Sequence, residues 1–185
     1  MADKKEKREM TLAERLNVLR AGVLGANDGI VSVAGVVIGV AAAGQSNSVI
    51  LLAGLAALLA GAFSMAGGEY VSVSTQRDTE MAVSQDHDFD YEIEYTNPWH
   101  AAFSSFVSFT IGSILPLVAV YFTPAGLKVW ITAGAVVIAL FFTGYISARL
   151  GDAPTRPAVI RNIVVGILTM AVTYGIGLLL HTGGI

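Results

Sequence analysis

Long apolar runs separated by short polar breaks dominate this chain. No Asp, Glu, Lys or Arg falls between Asp28 and Glu69, between Lys128 and Arg149, or after Arg161. At about 20 apolar residues per membrane-spanning helix, the pattern predicts five spans, over residues 21–43, 49–73, 99–122, 129–148 and 160–180. The breaks carry turn chemistry. Gly44-Gln45-Ser46-Asn47-Ser48 closes a tight hairpin between the first two spans, Thr123-Pro124-Ala125-Gly126 joins the third to the fourth, and Gly151-Asp152-Ala153-Pro154-Thr155-Arg156-Pro157 joins the fourth to the fifth. Residues 1–20 hold Lys4, Lys5, Lys7 and Arg8 and space Leu12, Leu16 and Leu19 helically, which predicts an amphipathic helix running into the first span. This stretch lacks the short apolar core and small-residue cleavage site of a secretory signal. Residues 74–98 form a short acidic segment between the second and third spans. The expected fold class is all-α, a polytopic membrane protein of five transmembrane helices within residues 21–185.

Composition agrees with that pattern. Of the 185 residues 54% are hydrophobic and 14% charged, with a mean hydropathy of +0.65, whereas a soluble domain carries about a quarter charged residues. A water-soluble globule is excluded, and no large soluble domain fits beside five spans. Every base except Lys128 falls on one side of the alternating topology: Lys4, Lys5, Lys7, Arg8, Arg15, Arg20, Arg77, Arg149, Arg156 and Arg161. The excess of Lys and Arg in cytoplasmic loops then places the N-terminus, the acidic segment and the 149–161 loop in the cytoplasm, and the C-terminus on the far side. A multi-pass protein of a bacterial inner membrane, rather than a vacuolar one, is the expected setting. A net charge of -3 speaks against a nucleic-acid partner, which would want a basic stripe. With no Cys there is no disulfide framework, thiolate metal site or redox motif. The chain shows no phosphate loop, no HExxH and no Ser/His/Asp set, so neither an enzyme nor a resident cofactor is expected.

Two acids interrupt the apolar material: Asp28, inside the first span, and Glu69, near the end of the second. An ionisable side chain at membrane depth costs several kcal/mol and marks a functional site by default; the plain alternative is an interfacial carboxylate that snorkels to water. Met65 precedes Glu69 by four residues, so a helix stacks thioether and carboxylate on one face. Both lie in the small-residue run Gly61-Ala62-Phe63-Ser64-Met65-Ala66-Gly67-Gly68-Glu69, and the first span offers Gly35 and Gly39 at GxxxG spacing. Such surfaces let helix backbones approach closely, and helix packing alone accounts for Gly35, Gly39, Gly61, Gly67 and Gly68, though not for the acids. A lone Met in an apolar helix is ordinarily filler.

Carboxylates joined by a softer thioether suit a divalent first-row ion such as Fe²⁺ or Mn²⁺. A buried carboxylate tends to hold a proton until an arriving dication favours its ionised form, so metal entry drives protons out. Asp28, Met65, Glu69 and the amide of Asn27 are too few ligands for a six-coordinate ion. A two-fold homodimer would double them, with paired Asp28 and Met65 lining a shared path. The acidic segment brings Asp78, Glu80, Asp86, His87, Asp88, Asp90, Glu92 and Glu94, a mouth that would concentrate cations or a linker that simply faces water. The alternation from Asp86 to Glu94 would put its acids on one side of an extended chain. An EF-hand is rejected, because Tyr91 stands where Gly is needed and Asn97 where the bidentate Glu belongs. His100 and His181 read as interfacial. Two rival functions remain open on the residues: a non-transporting membrane assembly protein, and a passive cation channel.

Three strings resemble the vacuolar iron transporter family: Gly25-Ala26-Asn27-Asp28-Gly29-Ile30-Val31-Ser32; Ala60-Gly61-Ala62-Phe63-Ser64-Met65-Ala66-Gly67-Gly68-Glu69-Tyr70-Val71-Ser72-Val73 with its tail Gln76-Arg77-Asp78-Thr79-Glu80; and Asn97-Pro98-Trp99. The resemblance covers nearly the whole chain. It implies a five-helix dimer with its transport path between subunits, moving Fe²⁺ and often Mn²⁺ out of the cytosol in exchange for protons. It also implies that Asp28 and Met65 are the family's first-span aspartate and second-span methionine, with Glu69 in the same matched string. The chain departs from the pattern in one place. Typical members insert a long, glutamate-rich, methionine-containing helical metal-binding domain between the second and third spans, whereas here a short segment joins Thr75 to Trp99.

Overall fold

The computed structural model of the chain describes Met10 and residues 12–86 and 96–183. Its long elements are α1 (Leu12–Ala42), α2 (Asn47–Asp86), α3 (Pro98–Phe122), α4 (Lys128–Leu150) and α5 (Thr155–Thr182), with a single 3-10 turn at Ala125–Leu127. Among the described residues there are no strands. The shortest of the five, α4, has 23 residues, about 35 Å at the α-helical rise, more than the roughly 30 Å of a bilayer's hydrocarbon core. All five helices are long and apolar enough to cross a membrane. This is a multi-pass integral membrane protein.

Local chemistry explains the helix ends. Gly44 takes φ +73, the left-handed region that glycine adopts freely, and this lets the chain reverse between α1 and α2. A side chain there would also strike the His181 ring, 2.7 Å from the position a Cβ would take. At the start of α3, Asn97 Oδ1 accepts from the backbone N–H of Trp99 at 3.0 Å while Pro98 opens the helix, an N-cap followed by a proline that has no N–H to leave unpaired. Lys128, buried at the opposite end of the bundle, donates from Nζ to Val120 O at 2.8 Å, satisfying a carbonyl at the end of α3.

Two elements outrun their expected bounds. α1 begins at Leu12 and continues without a break into the first span, so from Leu12 onward the expected N-terminal helix is the opening of α1 itself; residues 1–9 and Thr11 lie outside the described residues. α2 does not stop near Val73 but runs on to Asp86, 40 residues in all. That is about 60 Å, twice the hydrocarbon thickness, so its polar last part stands clear of the bilayer. Polarity marks the membrane boundary here, not the helix end. Residues 74–86 contain no Gly or Pro, Thr75 and Thr79 return their hydroxyls to the carbonyls one turn back, and Gln76 donates to Glu80 at 2.9 Å, an i,i+4 pair. The extended ribbon expected over 86–95 therefore does not begin at Asp86, which is helical; residues 87–95 lie outside the described residues.

α1 is the central helix. Gly25 and Gly29 sit against the backbone of α3 at Ser105 and Phe109, and Gly112 of α3 sits against Ala26. Gly35 and Gly39 meet Thr169 and Thr173 of α5. Their GxxxG spacing lets α1 and α5 approach closely. Apolar side chains fill the remaining gaps. Val33 and Val37 pack with Leu58 and Ala62 of α2 and Phe109 of α3, while Ile30, Val31, Ala34 and Ile38 pack with Val136 and Leu140 of α4 and Met170 of α5. Outward positions such as Leu59, Phe63, Phe103, Ile111, Ile138 and Leu179 are large and exposed, and several interior ones are small and polar, including Ser105, Ser113 and Thr132. Lipid supports that inversion, because tight packing and internal hydrogen bonds, not apolar burial, hold helices together there.

A polar clamp gathers the first turns of α1, the far part of α2 and the start of α3. Glu80 Oε2 accepts from the Thr96 N–H at 3.1 Å and its Oε1 from Thr96 Oγ1 at 2.8 Å. Asn17 donates to Gln76 at 2.9 Å. Buried Glu14 accepts from the Asn97 N–H at 3.2 Å and lies 3.0 Å from His100 Nδ1.

Two predictions concern stability, each read from thermal unfolding in detergent. Gly29→Val forces a side chain into the Phe109 backbone and should destabilise by about 1–3 kcal/mol, whereas Gly134→Ala, with open space around it, should leave the midpoint unchanged or raise it. Glu80→Ala strands the Thr96 N–H and should cost about 1–3 kcal/mol; an unchanged midpoint there would mean that the clamp contributes nothing.

Candidate functional site

α1 and α2 run antiparallel, and two contacts set their register: Asn17 to Gln76 and Arg20 Nη2 to Glu69 Oε2, each at 2.9 Å. Carried along both helices at equal rise, this register puts Asp28 level with the stretch from Gly61 to Met65. Asp28 and Met65, chosen for membrane depth and residue chemistry, thus lie within about one helical turn of the same height. Neither is sealed in the core, since both are half-buried. Met65 packs against the cluster that includes Ala62, Leu58 and Phe109, as a lone Met in an apolar helix ordinarily does.

Asp28 Oδ1 accepts from Ser32 Oγ at 2.7 Å, one turn along α1. Among the described residues Asp28 has no cationic partner. A half-buried carboxylate with one neutral hydrogen bond in an apolar stretch retains capacity for a proton or a metal ion. Its neighbour Asn27 keeps its side-chain oxygen sealed from solvent with no hydrogen-bond partner, as do the hydroxyls of Ser105 and Thr132. Unpaired buried acceptors are uncommon in folded proteins and each wants a physical account.

Glu69 is in a different state. It is 6% exposed and carries an ion pair to Arg20, whose side chain is 52% exposed. The sequence singles out Glu69 but not Arg20, which there is only one more base on the side expected to be cytoplasmic. The two lie far apart in the chain, and only the antiparallel pairing of α1 and α2 brings them together. Gly67 and Gly68 have nothing within 4 Å of where a Cβ would sit, leaving open space on the α2 surface beside Glu69. Gly61 instead accommodates the Phe109 ring. The small-residue run therefore splits between packing on α3 at one end and an open face at the other.

The acidic residues expected to collect cations do not form one group. Asp78 is exposed on α2. Glu80 has both oxygens engaged by Gln76 and Thr96, which gives it a structural task. Asp86 closes α2, and His87, Asp88, Asp90, Glu92 and Glu94 lie outside the described residues. Among the described residues no three His, Cys, Asp or Glu side chains come together as a metal-holding group. The histidines read as interfacial are both half-committed to protein: His100, 48% exposed, bonds Glu14, and His181 Nδ1 lies 3.2 Å from Ala43 O. Glu14 escaped notice because an acid in the polar first turns of a helix is unremarkable until the fold lays α3 over it.

Comparison with known proteins bears on this arrangement. The VIT family pattern matches residues 19–92 and 81–178. The chain is 37% identical over 186 residues to vacuolar iron transporter homolog 4 of Arabidopsis thaliana, covering 99% of this chain and 94% of that protein. It is 41% identical over 173 residues to homolog 1 of the same plant, with 92% and 86% covered. To vacuolar iron transporter homolog 1 of Oryza sativa subsp. japonica it is 44% identical over 170 residues, with 88% and 73% covered. These matches run through α1 to α5, including the helices that carry Asp28, Met65 and Glu69, and on them the chain belongs to the VIT family.

Proposed function

We propose that this protein exports Fe²⁺, and with it Mn²⁺ and related divalent transition metals, from the cytosol in exchange for protons, working as a homodimer. The observation that carries the reading is Asp28, a carboxylate within the apolar part of α1 that has no cation beside it among the described residues and stands within about one helical turn of the height of Met65 on α2. The relatives are named vacuolar iron transporter homologs. Those names also refer to the vacuole; they give no support to the bacterial inner membrane expected from the sequence.

The chemistry follows from what Asp28 lacks. In this cycle Asp28 carries the exchanged proton while no metal is bound. A dication favours the ionised form, and the proton leaves as metal enters. Met65 contributes a soft donor that favours Fe²⁺ over hard ions such as Mg²⁺. Asn27 supplies an amide oxygen that is otherwise unsatisfied. One chain offers too few donors for a six-coordinate ion, and a second copy related by a two-fold axis supplies the rest. The exposed face of α2 at Gly67 and Gly68 suits that approach. In this reading Glu14, Arg20, Glu69, Glu80 and His100 lie at the cytoplasmic end and Lys128 and His181 at the opposite one.

Two measurements in proteoliposomes test the proposal. Asp28→Ala should abolish metal-driven proton movement and Fe²⁺ uptake while the protein still elutes as the wild type does; wild-type rates in that variant would end the mechanism, and metal flux indifferent to the pH gradient would make the protein a channel. Met65→Leu keeps the volume and removes the sulfur, so Fe²⁺ uptake should fall severalfold while Mn²⁺ uptake falls less. Equal losses for both ions would assign Met65 a packing role only.

A further inference from the structure

The Arg20–Glu69 pair has an asymmetry that a permanent structural tie does not need. The carboxylate is 6% exposed and fixed on α2, whereas the guanidinium belongs to a side chain that is 52% exposed. Their contact is single, Nη2 to Oε2 at 2.9 Å, not the two-pronged pairing for which Arg is built. Among the described residues Oε1 has no hydrogen-bond partner, yet it is not one of the oxygens sealed from solvent. A carboxylate engaged through one oxygen by a half-exposed cation, with its other oxygen not sealed from solvent, is arranged for exchange.

We infer that Arg20 is a displaceable counter-charge that occupies Glu69 when no metal is present and gives way to an incoming dication. The inference rests on the transport reading for its purpose, though not for its test. Glu69 is too buried to stand ionised and alone, because an uncompensated charge in such a place is strongly unfavourable. Arg20 compensates it in the empty state. A divalent ion arriving at Oε1 outcompetes a single guanidinium contact, and the long, half-exposed Arg side chain swings its head into water at little cost. The buried acid is never unpaired, and the guanidinium sets a threshold: ions that bind carboxylate weakly do not displace it. The same competition weakens metal binding enough for the ion to move on towards Asp28, about two helical turns further along α1.

The experiment measures Mn²⁺ binding to the full-length purified protein in detergent by loss of the free-ion electron paramagnetic resonance signal. Arg20→Gln should bind Mn²⁺ about three- to tenfold more tightly than the wild type, up to about 1.4 kcal/mol, and Arg20→Lys, which keeps the charge, should stay near the wild type. In the Glu69→Gln background the Arg20→Gln substitution should bring no gain. A merely structural pair predicts the reverse, with unchanged or weaker binding and a lower unfolding temperature in Arg20→Gln. That result overturns the inference, as does a gain that survives Glu69→Gln, which would be long-range electrostatics, or a wild type that binds no Mn²⁺. Failure of the transport reading shows separately, as absent Fe²⁺ and Mn²⁺ uptake by wild-type proteoliposomes whether or not binding responds to Arg20.

Discussion

Close backbone approach between α1 and its neighbours is the constraint on which the rest depends. In a bilayer, lipid is as apolar as any leucine, and helices associate through van der Waals contact and internal hydrogen bonds. α1 meets that requirement with glycine on two sides: Gly25 and Gly29 against the α3 backbone, Gly35 and Gly39 against Thr169 and Thr173 of α5. Gly112 returns the approach from α3, and Gly177 from α5. With both sides occupied, α1 cannot rotate freely, and Asp28 is held half-buried.

The two membrane acids are handled by different physical means. Glu69 is buried and neutralised by Arg20 across the α1–α2 seam, whereas Asp28 is left with one hydroxyl of its own helix. The low dielectric around each acid gives these choices weight, since an unpaired charge that would be trivial in water is costly here. In the proposed cycle an ion passes from a site where a cation already waits to one where none does.

The polar clamp braces one end of the helix bundle. Glu14, Asn17, Gln76, Glu80, Thr96, Asn97 and His100 join α1, α2 and α3 beyond the apolar core. Several of these bonds end on the carboxyl oxygens of Glu14 and Glu80, and a hydrogen bond to a carboxylate is stronger than one between neutral groups. An acid in this setting does structural service, which is why Glu80 differs from its exposed neighbour Asp78 although both look alike in sequence.

Five apolar runs, their turn residues and the two acids at membrane depth were legible from the chain alone, because hydrocarbon thickness sets span length and burial makes each intramembrane charge conspicuous. Position along one helix was legible too: Met65 four residues before Glu69 needs nothing but the helical period. The end of α2 was not, since a helix that leaves the membrane changes its polarity before its conformation. Nor was the partner of any side chain on another helix. Arg20 for Glu69, His100 for Glu14, Thr173 for Gly39 and Thr96 for Glu80 are separated by long stretches of sequence, and hydropathy carries no information about rotation or register between helices. Those were decided by which glycines let which backbones touch, a property of the packed bundle and of no single segment within it.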